Sequence, residues 1–325
     1  MNWGGMRMAT DDTITLAQIS DLHLGPLPTI PWHLLDLKRL TGTLNWHLQR
    51  RWLNTPEQAE AWAADLSAVA ADHVAVTGDL CNIGLPVEVE RGAQLLRRLG
   101  LPARVSVIPG NHDIYSTIDG RKLGAAALAP WSAYMRSDAA GAAYGAGAEP
   151  FPFVRVIERG TLRVALIGLN SAVETPPRIA TGRLGERQIN SLDAALHATG
   201  RDGLVRVVML HHPPLMAWAR PHHGLLDGNA FADVLRQRGA DLVIHGHNHR
   251  AMFNELAGPA GSVPVVGVPS ASAVATRGRE DLARAHLFEI SRAKADDRPT
   301  ITLISRGLAA NGGPIVELGR KQIAG

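Results

Sequence analysis

The chain has 325 residues, 46% apolar and 19% charged, with a formal charge of +3 and a single cysteine. That length allows one large domain or two modest ones, and the balance is that of a soluble globular protein. The absence of any apolar window of about 18 residues excludes a membrane-spanning helix, the lone Cys81 excludes an internal disulfide, and no Lys/Arg run is dense enough for a nucleic-acid tract.

In chain order, residues 1–12 lack a signal-peptide core and are expected to be a disordered extension. The β-branched run Thr13–Ile19 predicts a strand. Residues 30–53 carry Leu37, Leu40, Leu44, Leu48 and Trp52 at spacings of 3 or 4, which predicts a helix with an apolar stripe. Lys38, Arg39, Arg50 and Arg51 fall mostly off that stripe. Further strands are expected at His73–Thr77, Arg104–Ile108, Phe153–Ile157, Leu162–Gly168, Val205–Leu210, Asp241–His245, Val263–Val268, His286–Ile290 and Thr300–Ile304. Helices are expected at Glu57–Ala71, Pro86–Leu99, Arg121–Arg136, Glu186–Ala198 and Gly228–Arg238, the last stopped by Gly239. The alternation argues for an α/β domain over 13–305, joined by mixed or antiparallel strands in the C-terminal third, with 306–325 as a tail.

The strands stop in a particular way. The first runs into Asp21-Leu22-His23, the second into Gly78-Asp79, the third into Gly110-Asn111-His112-Asp113, and later ones into His211-His212-Pro213-Pro214 and Gly246-His247-Asn248-His249. In open α/β sheets the carboxyl ends of the strands are where ligands bind. Asp, Asn and neutral His at that density form a metal-ligand inventory, and the lack of thiolates favours Mn, Fe or Zn over a structural zinc cluster. Side chains two apart in extended chain point the same way, so Asp21 with His23, and His247 with His249, are expected to face one cavity.

The ordered set D-x-H, G-D, G-N-H-D, H-x-P and G-H-x-H resembles the calcineurin-like metallophosphoesterases. The resemblance covers Asp21 to His249 and implies a four-layer α/β/β/α sandwich of two mixed sheets with a dinuclear metal site. It implies that Asp21, His23 and His249 hold one ion, that Asn111, His211 and His247 hold the other, and that Asp79 bridges them. It also implies that a hydroxide bridging the ions attacks phosphorus while His112 protonates the leaving group, with Asp113 orienting the His112 ring and raising its pKa. A non-catalytic scaffold is disfavoured because no ligand of the pattern is missing.

Neighbouring residues carry plainer readings. His212 is expected behind the ligands or as a pocket wall, His245 as a buried strand residue, and Cys81 as a small buried residue. His222 and His223 are equally a pocket lining or a solvated loop, and Asn170 and Ser171 fall at a strand end that could line the pocket. The His-His-Pro-Pro form of the fourth motif is similar to that of bacterial cyclic-nucleotide and glycerophosphodiester phosphodiesterases, which favours a small phosphodiester substrate. A second reading is a pyrophosphatase acting on a UDP-diacylglucosamine-like lipid precursor. For residues 30–53 the plain expectation is a lid helix packed on the body, and the sharper one a lipid-contacting surface. The expected location is accordingly cytoplasmic, with peripheral contact to the inner membrane left open.

Overall fold

A computed structural model describes residues 12–48, 51, 55–115, 124–145, 150–276, 280–293 and 298–325. Two six-stranded mixed sheets form the body. In the first, β1 (Thr13–Ile19), β2 (His73–Val76) and β3 (Val105–Val107) run parallel, and β10 (Arg284–Ser291), β11 (Thr300–Leu308) and β12 (Ile315–Ala324) continue from β1 antiparallel. In the second, β5 (Leu162–Gly168), β6 (Val205–Met209), β7 (Leu242–His245) and β9 (Gly261–Gly267) are parallel. Antiparallel edge strands β4 (Phe153–Arg159) and β8 (Met252–Gly258) flank them.

The parallel strands are continuous apolar runs because both of their faces are covered. Along β5, Val164 and Leu166 belong to the core shared with the first sheet, while Ala165 and Ile167 pack in a second core with α4 (Gly185–Arg201) and α5 (Gly228–Arg238). The period-2 alternation thus divides one strand between two cores. Helices α2 (Pro56–Val69) and α3 (Pro86–Leu99) cover the first sheet, placing Trp62, Leu66, Val89, Ala93 and Leu96 in the larger core. Gly92 is needed there, since a Cβ would lie 2.5 Å from Trp131 Cζ2. Buried Glu88 closes the start of α3 by accepting the backbone N–H groups of Asn82, Ile83 and Leu85. The layers run helix, sheet, sheet, helix, and β1, β2, β6 and β7 all deliver their carboxyl ends to one edge.

Two expectations are corrected, one strand is added, and one expected helix lies with its apolar stripe outward. Residues 306–325 are not a tail: they finish β11 and form β12, whose exposed Arg320 and Lys321 suit an edge strand. The strand β8 has no counterpart among the expected strands, since its apolar residues are few and only partly buried. The helix expected at Arg121–Arg136 is a run of 3-10 turns over Gly124–Tyr134, kinked at Leu128 with Pro130 inside; residues 121–123 lie outside the described residues. Within residues 30–53, helix α1 (Leu37–Leu48) does form, but its leucines face outward. Trp52 lies outside the described residues. Lys38, Arg39 and Trp46 are the buried side chains. Arg39 is accommodated by the carbonyls of Leu34 and Ile83 and by Asp36, and Lys38 by the Thr175 hydroxyl.

Candidate metal centre

The ladder of β1 and β2 continues past the strand ends as loop pairing. Asp21 N–H donates to the Gly78 carbonyl, His23 N–H to Asp79 and Leu24 N–H to Leu80, at 2.8–3.0 Å. Gly78 (φ 97°) and Gly110 make this approach feasible: a Cβ on Gly78 would sit 2.6 Å from Gly110 N, and one on Gly110 would collide with the Asp79 carboxylate.

The expected convergence of Asp21 with His23 and of His247 with His249 occurs, but not through extended chain. Asp21, His23, Asp79, His247 and His249 all have positive φ, between 43° and 72°. The left-handed conformation costs a non-glycine residue roughly 1–2 kcal/mol, so the loops are held there by their surroundings. The Ser270 hydroxyl donates to the Asp21 carbonyl at 2.6 Å, and Asp21 Oδ2 accepts His247 N–H at 2.9 Å. Backbone strain of this kind concentrates at functional sites.

The seven residues expected as ligands meet in one place. His249 Nε2 lies 3.2 Å from Asp21 Oδ1 and 3.3 Å from His23 Nε2. Asp79 Oδ2 lies between His211 Nε2 at 3.4 Å and His23 Nε2 at 3.9 Å. His211 Nε2 is 3.2 Å from both Asn111 Oδ1 and His247 Nδ1. Behind the rings, His23 Nδ1 donates to the Cys81 carbonyl and His211 Nδ1 to the Thr77 carbonyl, turning each Nε2 toward the centre.

Such a gathering of buried acceptors calls for positive charge. Burial opposes protonation of His211 and His249, yet the facing Asp79 and Asp21 carboxylates raise both to about 9. Protons therefore stand where cations fit, and the carboxylate, amide and imidazole donors match a divalent metal. Groups of three donors whose atoms all fall within 4.8 Å are Asp21–His23–His249, Asp21–Asp79–His211, His23–Asp79–His112 and His211–His212–His247.

Asp113 does not do what was expected of it. Its Oδ2 accepts the N–H groups of Asp79 and Gly110, and its Oδ1 that of Cys81, each at 2.8 Å. It ties the second and third motif loops together. Burial, and then the Asp79 charge, push its carboxyl up to about 7. The His112 ring is oriented instead by the Asn82 carbonyl at Nδ1, and Tyr115 stacks on it with centroids 5.3 Å apart. His112 N–H also donates to Asp79 Oδ1 at 2.7 Å.

The remaining residues sort cleanly. His212 is buried, with Nδ1 2.8 Å from Ser171 Oγ, so Ser171 supports that ring rather than lining the pocket. Asn170 Oδ1 accepts the Ala172 N–H. His245 is a buried strand residue and Cys81 is buried, its thiol pushed up by burial and by Asp113. His223 lines the cleft, its ring 5.6 Å from His247, while His222 is exposed. The cleft, about 110 Å³, is walled by Asp79, Asn111, His112, His247 and His249, with Ala180, Arg220, His223, Asn248 and Glu280 also lining it. Arg220 and Glu280 had no signal in the sequence, because they come from loops without a motif of their own, while Asn248 is the variable position within G-H-x-H. Tyr115, two residues beyond G-N-H-D, was within reach of the strand-end argument.

The family model for calcineurin-like phosphoesterases matches residues 14–251. A probable cyclic nucleotide phosphodiesterase of Synechococcus sp. is 28% identical over 244 residues, covering 74% of this chain and 75% of that protein. Among solved structures, a dimetal phosphatase from Danio rerio superposes with a TM-score of 0.54 at 13% identity, covering 94% of this chain and 98% of that one. A purple acid phosphatase from yellow lupin gives 0.53 at 12%, covering 91% of this chain and 51% of that one. The two likenesses show the same fold, and the matched segment contains every residue of the cluster. The chain belongs to the calcineurin-like phosphoesterase family.

Proposed function

We propose that this chain is a metal-dependent phosphodiesterase that hydrolyses a small phosphodiester of the cyclic-nucleotide or glycerophosphodiester type. The observation that carries this reading is the convergence of Asp21, His23, Asp79, Asn111, His211, His247 and His249 on one buried point. Asp21, His23 and His249 would hold one ion and Asn111, His211 and His247 a second, with Asp79 between them. Such ions, of Mn, Fe or Zn, would neutralise the phosphoryl oxygens and acidify a water molecule.

The chain's own side chains then divide the work. His112, fixed at Nδ1 by the Asn82 carbonyl, keeps Nε2 for the proton that goes to the leaving oxygen. Asp113 keeps the loops carrying Asp79 and Asn111 at their separation and serves as a positioning residue. A cleft of about 110 Å³ encloses a phosphoryl group and little else, well short of the roughly 300 Å³ at which ligand pockets begin. Arg220 and His223 line the same cleft and would contact the ester next to its phosphoryl group. The His211-His212-Pro213-Pro214 motif and the name of the Synechococcus relative support a cyclic or glycerol diester.

One observation favours a second reading. The exposed leucines of α1 suit an amphiphilic substrate such as a UDP-linked diacylglucosamine, whose pyrophosphate would be cut by the same centre. Initial rates of the Mn(II)-loaded protein on bis-p-nitrophenyl phosphate, p-nitrophenyl phosphate, cyclic nucleotides, glycerophosphodiesters and a UDP-lipid separate the two. The proposal expects diesters to exceed the monoester. Turnover of the UDP-lipid alone would transfer the assignment to the second reading, and inertness toward all of them with Mn, Fe and Zn would remove both.

A further inference from the structure

Helix α1 is amphipathic in the inverted sense. Its inward face, Lys38, Arg39, Gly42 and Trp46, is packed on the body, and a Cβ on Gly42 would lie 2.8 Å from Ile83 Cγ2. Its outward face carries Leu37, Leu40, Leu44 and Leu48, which are 67%, 52%, 58% and 65% exposed, and Trp32 just before it is 87% exposed. A soluble protein has no reason to hold four leucines in register toward water while burying the lysine and arginine between them.

The charge around this face indicates what covers it. Asp36 is the single acid of residues 30–53, and Arg39 neutralises it at 3.2 Å. Arg50 and Arg51 follow the last leucine, and Arg51 is exposed. A strip of exposed leucines with an exposed tryptophan before it and the exposed Arg51 after it suits a helix lying in a lipid interface, leucines among the acyl chains and positive charge at anionic headgroups.

The inner face connects this surface to the site. The Tyr115 hydroxyl donates to the Lys38 carbonyl at 3.2 Å, Lys38 Nζ lies 4.5 Å from the Tyr115 ring centre, and the same ring stacks on His112. We propose that the outward face of α1 docks the protein on an anionic lipid surface and so holds the cleft beside it. The inference does not depend on which ester is cut, because it is read from binding alone.

The test is co-sedimentation of the full chain with vesicles of phosphatidylcholine, alone or with one third phosphatidylglycerol. The wild type is expected to partition about tenfold more strongly onto the anionic vesicles. That preference should fade on raising salt from about 0.05 to 0.5 M, which shortens the screening length severalfold. Leu40→Glu with Leu44→Glu, both on the solvent side, should abolish binding while leaving the circular dichroism and melting temperature of the wild type. Arg50→Gln with Arg51→Gln should remove the anionic preference and provides a check that leaves the leucines in place. Absence of wild-type binding, equal binding to both vesicles, or binding unchanged in the leucine variant would overturn the proposal. So would a dimer in light scattering that the leucine variant dissociates, with no vesicle binding, since the face would then belong to a second copy of the chain.

Discussion

At the residue scale, two groups expected to act as a pair are separated. The His112 ring rests on the Asn82 carbonyl, and the Asp113 carboxylate is consumed by three backbone N–H groups. The consequences of changing them therefore differ in kind. His112→Ala should keep the full metal content and lower kcat by about 10²–10⁴-fold, the usual contribution of a positioned proton donor. Asp113→Ala should lower the stability of the metal-free protein by about 3 kcal/mol, because buried N–H groups lose their acceptor, as read from urea unfolding. The titration of His211 and His249 gives a further prediction. Both are raised to about 9 against burial, by Asp79 and Asp21, so the folded chain holds their protons more tightly than the unfolded one. That stabilisation is complete below the ordinary histidine pKa of about 6.5 and is lost as the pH rises through 9. The melting temperature of the metal-free protein should fall across that interval, while apparent metal affinity, measured by calorimetry, rises because fewer protons must be displaced. A melting temperature that rises between those pH values would contradict the assignment. The seven candidate ligands and His112 were legible in the sequence because their type and order are unusual at strand ends. The role of Asp113 was not, since adjacency in sequence says nothing about which way a carboxylate turns once the loop is closed by its own N–H groups.

At the element scale, the strand-to-loop junctions carry the site. Gly78 and Gly110 face each other so closely that a methyl group on Gly110 would strike the Asp79 carboxylate. Gly110→Ala is therefore expected to displace Asp79 and reduce bound metal, measured by elemental analysis, even though no ligand has been changed. The convergence of the paired ligands was foreseen from extended geometry, yet it arises from left-handed residues, a backbone state that residue spacing does not reveal. Helix α1 teaches a similar lesson. Its leucine periodicity was plain, but periodicity identifies a face without saying which side is wet. The side was decided by partners far away in sequence: Thr175 for Lys38, and the Ile83 carbonyl for Arg39. Gly42→Ala should lift the helix off Tyr115, and a loss of protection in amide exchange over 37–48 would register it.

At the scale of the whole molecule, the parallel strands of two mixed sheets present their carboxyl ends along one edge, and the strand–helix alternation that builds them could be read directly. The closing strand β12 could not, because its few apolar residues and its Arg320 and Lys321 suit an exposed edge and therefore look like a tail. The centre joins both sheets: Asp21, Asp79 and Asn111 follow strands of one, His211, His247 and His249 strands of the other. Cations bound there should link the two halves of the fold, and saturating metal at about a thousand times its dissociation constant should stabilise the chain by about 4 kcal/mol. The most direct measurement is a Mn(II) titration of chelator-stripped protein that follows bound metal and bis-p-nitrophenyl phosphate hydrolysis together. Activity is expected to be absent without metal and to rise to a plateau as a second ion per chain binds, with Asp79→Ala losing both. Hydrolysis that survives stripping, or a chain that binds no metal at this cluster, would contradict that expectation.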